Sequence, residues 1–593
     1  MVFPFTYDGA MKNSAPGDYA NHDGRRRIRY HGGYYQTPYG GVSVSGETEP
    51  GTPSAELGPD GRSIVKGEIS ERITARKQLH LGQEVADYKT RMVAAGEQDR
   101  AARIEQIVEQ SPTLKNLSGS VKTVIMLPVW AKEDFDKVYD ALSLYAQQDG
   151  VSMDSFMVCV NVNDKMPESA DTVDSADLTD DEKAHFASIG NPNPSKAEVY
   201  QHRYQQTIAE VGRAKTDFPG LQVATISQAG HNGIFDVTQE MNDAVLFAID
   251  RAVREGRMDA DNDVLMVRND CDVKHISSHY VASFQEAAQK NPKTPIFTGT
   301  TYFNIDHQRR VPGLGAATQI ERMSNLLGAV NGRVHTAGGN FGYRASHFAA
   351  INGYGFAANG DDMSPGAGSD DLRIGHRLQD AFDSTYWERM RNSGNPSDGD
   401  LMDPSTRMLV RVGEALVDTD NLRYLKFYAD GGFHEAGPGV TNDAYRPDNQ
   451  RPADVKARGY NGDDSRGDWS AWKAFYEDVD GPNMEVIADR FAAEMTDYIS
   501  CCDGDKHGER YWERLLAWWL GSPNNGYYTL TREADTTRRY NGMRTVLQFT
   551  DEGKQKLRES LIRRITGDGS GTQDVNNFQQ AISDGRWASR ASA

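Results

Sequence analysis

Val264-Leu-Met-Val-Arg-Asn-Asp-Cys-Asp272 is a short apolar run that ends in two carboxylates one residue apart. The run reads as a buried strand. Alternate residues of a strand share a face, so the spacing predicts that Asp270 and Asp272 point together at the strand's C-terminal end. Carboxylate oxygens in that arrangement suit magnesium or manganese, which can in turn bridge a diphosphate. Spacing alone separates little, because Asp-x-Asp recurs at Asp134/Asp136, Asp259/Asp261, Asp261/Asp263, Asp398/Asp400, Asp418/Asp420 and Asp478/Asp480. The strand in front of Asp270 and the segments on either side set this pair apart.

On the N-terminal side, Val121-Lys-Thr-Val-Ile-Met-Leu-Pro-Val-Trp130 and Ser155-Phe-Met-Val-Cys-Val-Asn-Val-Asn-Asp164 are near-continuous apolar runs of the kind buried parallel strands show. Leu221-Gln-Val-Ala-Thr-Ile-Ser227 is a third. Helical patterns over residues 133–147, 197–216 and 236–255 alternate with them, and residues 163–196 read as a long loop. On the C-terminal side come a helix over His279–Lys290, a strand over Pro295–Thr300, and a helix over Leu372–Leu378 that begins beside Asp370 and Asp371. The alternation predicts an α/β fold with a mostly parallel sheet flanked by helices. Ligands of such sheets gather at the C-terminal strand ends, where Asp164 and Asp270 both fall.

The flanks read differently. Residues 1–65, rich in Gly, Pro, Tyr, Ser and charge, form an extended or partly disordered N-terminal arm, and residues 66–118 a helical segment without visible chemistry. A catalytic domain spans 119–390, a loop-rich region completing the active site 391–482, and a helical C-terminal region 483–593. Trp512, Trp518 and Trp519 in the last give it a small core, to be packed on the body or in a homo-oligomer contact.

The chain has 593 residues, 38% hydrophobic and 25% charged, enough for sizeable cores. A formal net charge of -20 argues against strong nucleic-acid binding or capture by an anionic membrane, which need excess Lys and Arg. The cluster Arg25, Arg26, Arg27 and Arg29 reads as a solvated stretch of the arm. Four cysteines, Cys159, Cys271, Cys501 and Cys502, make neither a disulfide framework nor a CxxC zinc pair. With no secretory leader pattern and no membrane-length apolar run, the expectation is a cytoplasmic protein.

The ordered segments resemble the GT-A fold nucleotide-sugar glycosyltransferases, glycosyltransferase family 2 in particular. The first strand with Pro128, and the helix ending Leu144-Tyr-Ala-Gln-Gln148, are similar to that family's opening segment. Val158-Cys-Val-Asn-Val-Asn-Asp164 is similar to its nucleoside-contacting strand, and Gly230-His-Asn-Gly233 with Glu240-Met-Asn-Asp-Ala244 to the segment that follows. Asp270-Cys-Asp272 matches its metal motif, and Gly338-Gly-Asn-Phe-Gly-Tyr-Arg344, Ile351-Asn-Gly-Tyr-Gly355 and Ser369-Asp-Asp-Leu-Arg-Ile-Gly-His-Arg-Leu378 its closing motifs, over residues 121–380 in all.

The resemblance implies a GT-A-like, Rossmann-like domain moving a sugar from a UDP- or GDP-sugar donor to an acceptor hydroxyl with Mn2+ or Mg2+. It assigns the metal to Asp270 and Asp272, with His434 as a third ligand. Donor contacts fall to Asp164, Asp270, Gly338, Gly339 and Arg344, with Arg377 a further phosphate contact. Asp371, with Asp370 beside it, becomes the general base of an inverting transfer; read from the residues alone, two acids in a helix's first turn cap it. Asp370 stands where the family has Glu, Arg268 and Asn269 where it has small or acidic residues, and the Gln-x-x-Arg-Trp segment of processive synthases is absent. The implied enzyme is therefore non-processive. Two other readings stay open: a nucleotidyltransferase on a related sheet, and a non-catalytic assembly or virion component built on a transferase-like scaffold.

Overall fold

The computed structural model describes residues 79–163, 172–173, 178–228, 234–303, 336, 339–356, 370–382, 409–419, 492, 516, 520, 526–534, 543–566 and 587–589. In chain order the helices are α1 (Leu81–Ala94), α2 (Gln98–Gln110), α3 (Pro112–Lys115), α4 (Ala131–Asp134), α5 (Val138–Ala146), α6 (Asp180–Ser188), α7 (Lys196–Asp217), α8 (Ile234–Arg254), α9 (Tyr280–Lys290), α10 (Ala345–Ala350), α11 (Asp370–Phe382) and α12 (Asp551–Thr566). The strands are β1 (Thr123–Trp130), β2 (Phe156–Asn163), β3 (Val223–Gln228), β4 (Leu265–Arg268), β5 (Val273–Ser277), β6 (Ile296–Phe303), β7 (Phe341–Arg344), β8 (Leu409–Thr419), β9 (Tyr528–Ala534), β10 (Met543–Phe549) and β11 (Trp587–Ser589).

Nine strands form one sheet in the order β11-β5-β8-β6-β7-β4-β1-β2-β3. The run β4-β1-β2-β3 is parallel throughout. β6 and β8 are parallel to each other, whereas β7 is antiparallel to both its neighbours and β5 to both of its own. Following those pairings across the sheet, β5 and β7 run against the other strands, and the sheet is mostly parallel. Strand alternation splits the core into two layers. Val124 and Met126 of β1 face a cluster with α1, α2, α8, α10 and α11, while Ile125, Leu127 and Val129 face a second with α5, α7 and α9. Helices thus cover both faces, as continuous apolar strands require.

Pro128 lies inside the central strand β1, which would ordinarily cost a ladder bond. Met126 turns its carbonyl toward β4 and accepts from Asn269 N–H (3.1 Å), and Pro128, two residues on, faces the same side. β4 pairs only with Thr123–Met126, so the missing N–H falls past its end. The sheet opens there, at the C-terminal edge.

Four expectations change. The helical segment set apart from the catalytic domain shares its core: Tyr88, Met92, Ile104 and Val108 are buried with residues of β1, β4 and β7. The 391–482 region, read as loops, supplies the eleven-residue β8 between β5 and β6. Within 163–196, α6 forms behind a capping box in which Thr179 and Glu182 bond reciprocally. In the C-terminal region α12 falls at the expected helix, but β9 and β10 make a hairpin and β11 pairs with β5, neither of them helical. Ala492, Leu516 and Leu520 are helical and buried; the three tryptophans and the arm lie outside the described residues.

Candidate active site at the C-terminal edge of the sheet

β4 ends at Arg268, and Asp270 and Asp272 sit in the turn joining it to β5. The expected strand alternation therefore does not bring them together. Instead, a four-residue connection, residues 269–272, joins β4 to the oppositely running β5 and carries both acids. Both carboxylates are half-buried.

The turn is braced from below. Asn269, buried, accepts the Asp270 N–H on its side-chain oxygen (3.0 Å) and donates its amide to the Tyr145 hydroxyl (2.9 Å). Burial pushes the Tyr145 phenol well above its ordinary pKa, so it stays a neutral partner there. Gly339 closes against the same backbone: a Cβ on it would stand 2.9 Å from Asn269 Oδ1 and 3.0 Å from Asp270 N. Its missing side chain thus lets the Gly339 backbone close against the turn.

Charge around the pair is mixed. The buried Arg268 brings Nη2 to 3.7 Å from Asp270 Oδ1, and the Thr419 hydroxyl at the end of β8 donates to Asp272 Oδ1 (2.9 Å). Several other Asp-x-Asp acids have evident structural duties. Asp134 accepts from Trp130 N–H (3.2 Å) and pairs with Lys137; Asp259 accepts from Asp261 N–H (3.0 Å); Asp263 accepts from Ser346 N–H (3.1 Å).

Two half-buried carboxylates at a strand-end turn are hard oxygen ligands, and magnesium or manganese needs no more than one or two when substrate phosphates and water complete the shell. The residues present fit. Among the described residues no group of three His, Cys, Asp or Glu side chains converges.

Arg344 is not part of it. β7 runs antiparallel to β4 with Leu265 opposite Arg344, which puts Arg344 at the far end of β4 from Asp270. There its guanidinium donates to the carbonyls of Ala288, Asn291 and Thr294 at the end of α9 (2.6, 2.8 and 2.9 Å). Burial lowers its pKa, with the nearby Asp263 opposing. Arg377 is 1% exposed and donates to the Ile351 and Gly353 carbonyls (both 2.9 Å). It is a brace behind α10 rather than the phosphate contact the resemblance implies. The sequence reading missed both duties because the acceptors are backbone carbonyls of distant segments.

α11 begins at Asp370, one residue before Asp371, so both acids lie in its first turn; their side chains lie outside the described residues. Asp164, Gly338 and His434 lie outside them as well. Asn163, the last residue of β2, is buried. Thr419, Asn269 and Tyr145 are the neighbours of the acid pair that sequence reasoning did not find. Asn269 carried the only signal, as a departure from the family pattern.

No family model matches the chain, and no curated protein matches it. Among solved structures it is similar to a mannosyltransferase from Pyrobaculum calidifontis in complex with GDP-Man and Mn2+, at 9% identity and a TM-score of 0.27, over 82% of this chain and 99% of that one. It is also similar to S. aureus TarS 1–349, without and with UDP, at 9% identity and a TM-score of 0.25, over 73% of this chain and 97% of that one. No helix among the described residues is long and apolar enough to cross a membrane.

Proposed function

We propose that the chain is a metal-dependent glycosyltransferase that moves a sugar from a UDP- or GDP-sugar to an acceptor hydroxyl, with inversion and without processive elongation. The observation that carries this reading is the braced turn after β4, which sets Asp270 and Asp272 half-buried at the C-terminal edge of an α/β sheet. That is where such sheets bind nucleotides. Asp270 and Asp272 would hold Mn2+ or Mg2+, which when bound would supply charge stabilisation for a departing nucleoside diphosphate. Asp164, directly after β2, contacts the nucleoside, Gly338 and Gly339 shape the sugar end, and His434 adds a third metal ligand. Asp371, with Asp370 beside it, takes the acceptor proton, since adjacent acids raise one another's pKa towards the working range of a base.

A screen of nucleotide-sugar donors with manganese, following release of nucleoside diphosphate, tests the reading. Release from one donor class is expected, and its loss in Asp270→Asn and Asp272→Asn at unchanged melting temperature. Release that persists in both variants would remove the acid pair from the site.

A further inference from the structure

Thr419 stands 147 residues from Asp272 in the chain, yet its hydroxyl donates to Asp272 Oδ1 at 2.9 Å. The backbone around it is held on two sides. Thr419 lies opposite Val273 of β5 and opposite Phe303 of β6. At the other end of the β5–β8 pair, Ser277 Oγ donates to the Glu414 carbonyl (2.7 Å) and accepts from Leu416 N–H (3.1 Å). Between these ends the register shifts, at Val273/His275. A β-branched side chain on so confined a strand end has few rotamers open to it, so its hydroxyl is a donor fixed by the sheet.

Resting on the metal-site reading above, we propose that Thr419 is a positioning residue for the cation site. By taking up Oδ1 it limits rotation of the Asp272 carboxylate and presents the group to a cation in one orientation. Ligating carboxylates are commonly held by such outer partners, whose loss weakens metal binding. A hydroxyl suits the task because it is neutral: it orients the acid while leaving the negative charge of the pair for the cation. Asp270 has its own restraint, the Arg268 guanidinium and the Asn269-braced N–H. The two acids are thus steadied by different strands, Asp270 from the end of β4 and Asp272 from the end of β8.

The test uses the full chain with Mn2+ and UDP or GDP as probes, reading bound manganese by electron paramagnetic resonance together with the melting temperature. Thr419→Val, nearly isosteric, is expected to weaken Mn2+ binding about 10- to 100-fold without a comparable loss of stability. Thr419→Ser, which keeps the hydroxyl, should stay within about threefold of the parent. Should Thr419→Val not fold, Thr419→Ala against Thr419→Ser carries the same contrast. Equal affinity in the hydroxyl-free and hydroxyl-bearing variants, with Asp272→Asn still losing the metal, would overturn the positioning role while sparing the site. Absence of Mn2+ binding in the parent chain with either nucleotide would overturn the site reading and the role with it.

Discussion

The Tyr88 hydroxyl of α1 donates to Asp243 of α8 at 2.6 Å, across 155 residues, inside the core. Arg100 of α2 closes the other side of the same carboxylate, through Nε at 2.8 Å and Nη2 at 2.5 Å, and also pairs with Glu97. Three helices are joined by one buried acid. This is why the N-terminal helical segment belongs to the domain.

Removing one partner leaves Asp243 short of a donor where water cannot replace it. Tyr88→Phe is expected to cost about 1–3 kcal/mol, and Arg100→Met about 3–5 kcal/mol because it strands a buried charge. Urea unfolding of both variants checks the order. A smaller cost for Arg100→Met than for Tyr88→Phe would show that the Arg100 ion pair does not anchor α2.

Catalysis should separate from binding at α11. Asp371→Asn is expected to lower kcat by about two to four orders of magnitude with donor affinity nearly unchanged, the loss typical of a general base. A larger effect in Asp370→Asn would exchange the two roles. Full activity in both, with an earlier melt, would mark the acids as caps of the helix.

His347 of α10 gives a pH signature. Buried against Phe382, its ring is pushed down to about 3, by desolvation first and by the Arg344 charge second. In the unfolded chain it titrates near the ordinary ~6.5. Between those values the unfolded state binds a proton that the folded state refuses. Stability from this group is therefore complete above about pH 6.5 and falls as pH drops toward 3, by up to ~1.4 kcal/mol per unit. Asp263, on the other side of Ser346, is raised by burial and contributes with the opposite sign. Melting temperatures from pH 7 to 4 for the parent and His347→Gln isolate the histidine: the variant's slope should be shallower, and parallel slopes would refute it.

The C-terminal region should matter more than the arm. Deleting residues 1–60 is expected to leave nucleotide binding intact, because that segment has no core periodicity. Deleting 483–593 removes β11 and bares the edge of β5, the strand that starts directly after Asp272. Light scattering should then show aggregation through the open edge, and nucleotide binding should fall. A monodisperse truncation that still binds nucleotide would make the tail an independent module.

The sequence by itself determined the parallel half of the sheet. Val124 to Val129 and Phe156 to Val162 are apolar on both faces, and only burial between helix layers accommodates such runs. It also marked Asp270 and Asp272, through the strand before them. What surrounds those acids was decided by tertiary structure alone. Nothing near Asp272 in the chain foretells Thr419, since β8 arises in a stretch dense with Gly, Asp and Pro and gains its place from pairing with β5 and β6. Arg344 and Arg377 look like anion binders in one dimension, and in three their acceptors are carbonyls left over at the ends of α9 and α10. Local patterns report what a segment must bury; which distant atom satisfies a given donor depends on the register and order of strands, and that is fixed only when the sheet assembles.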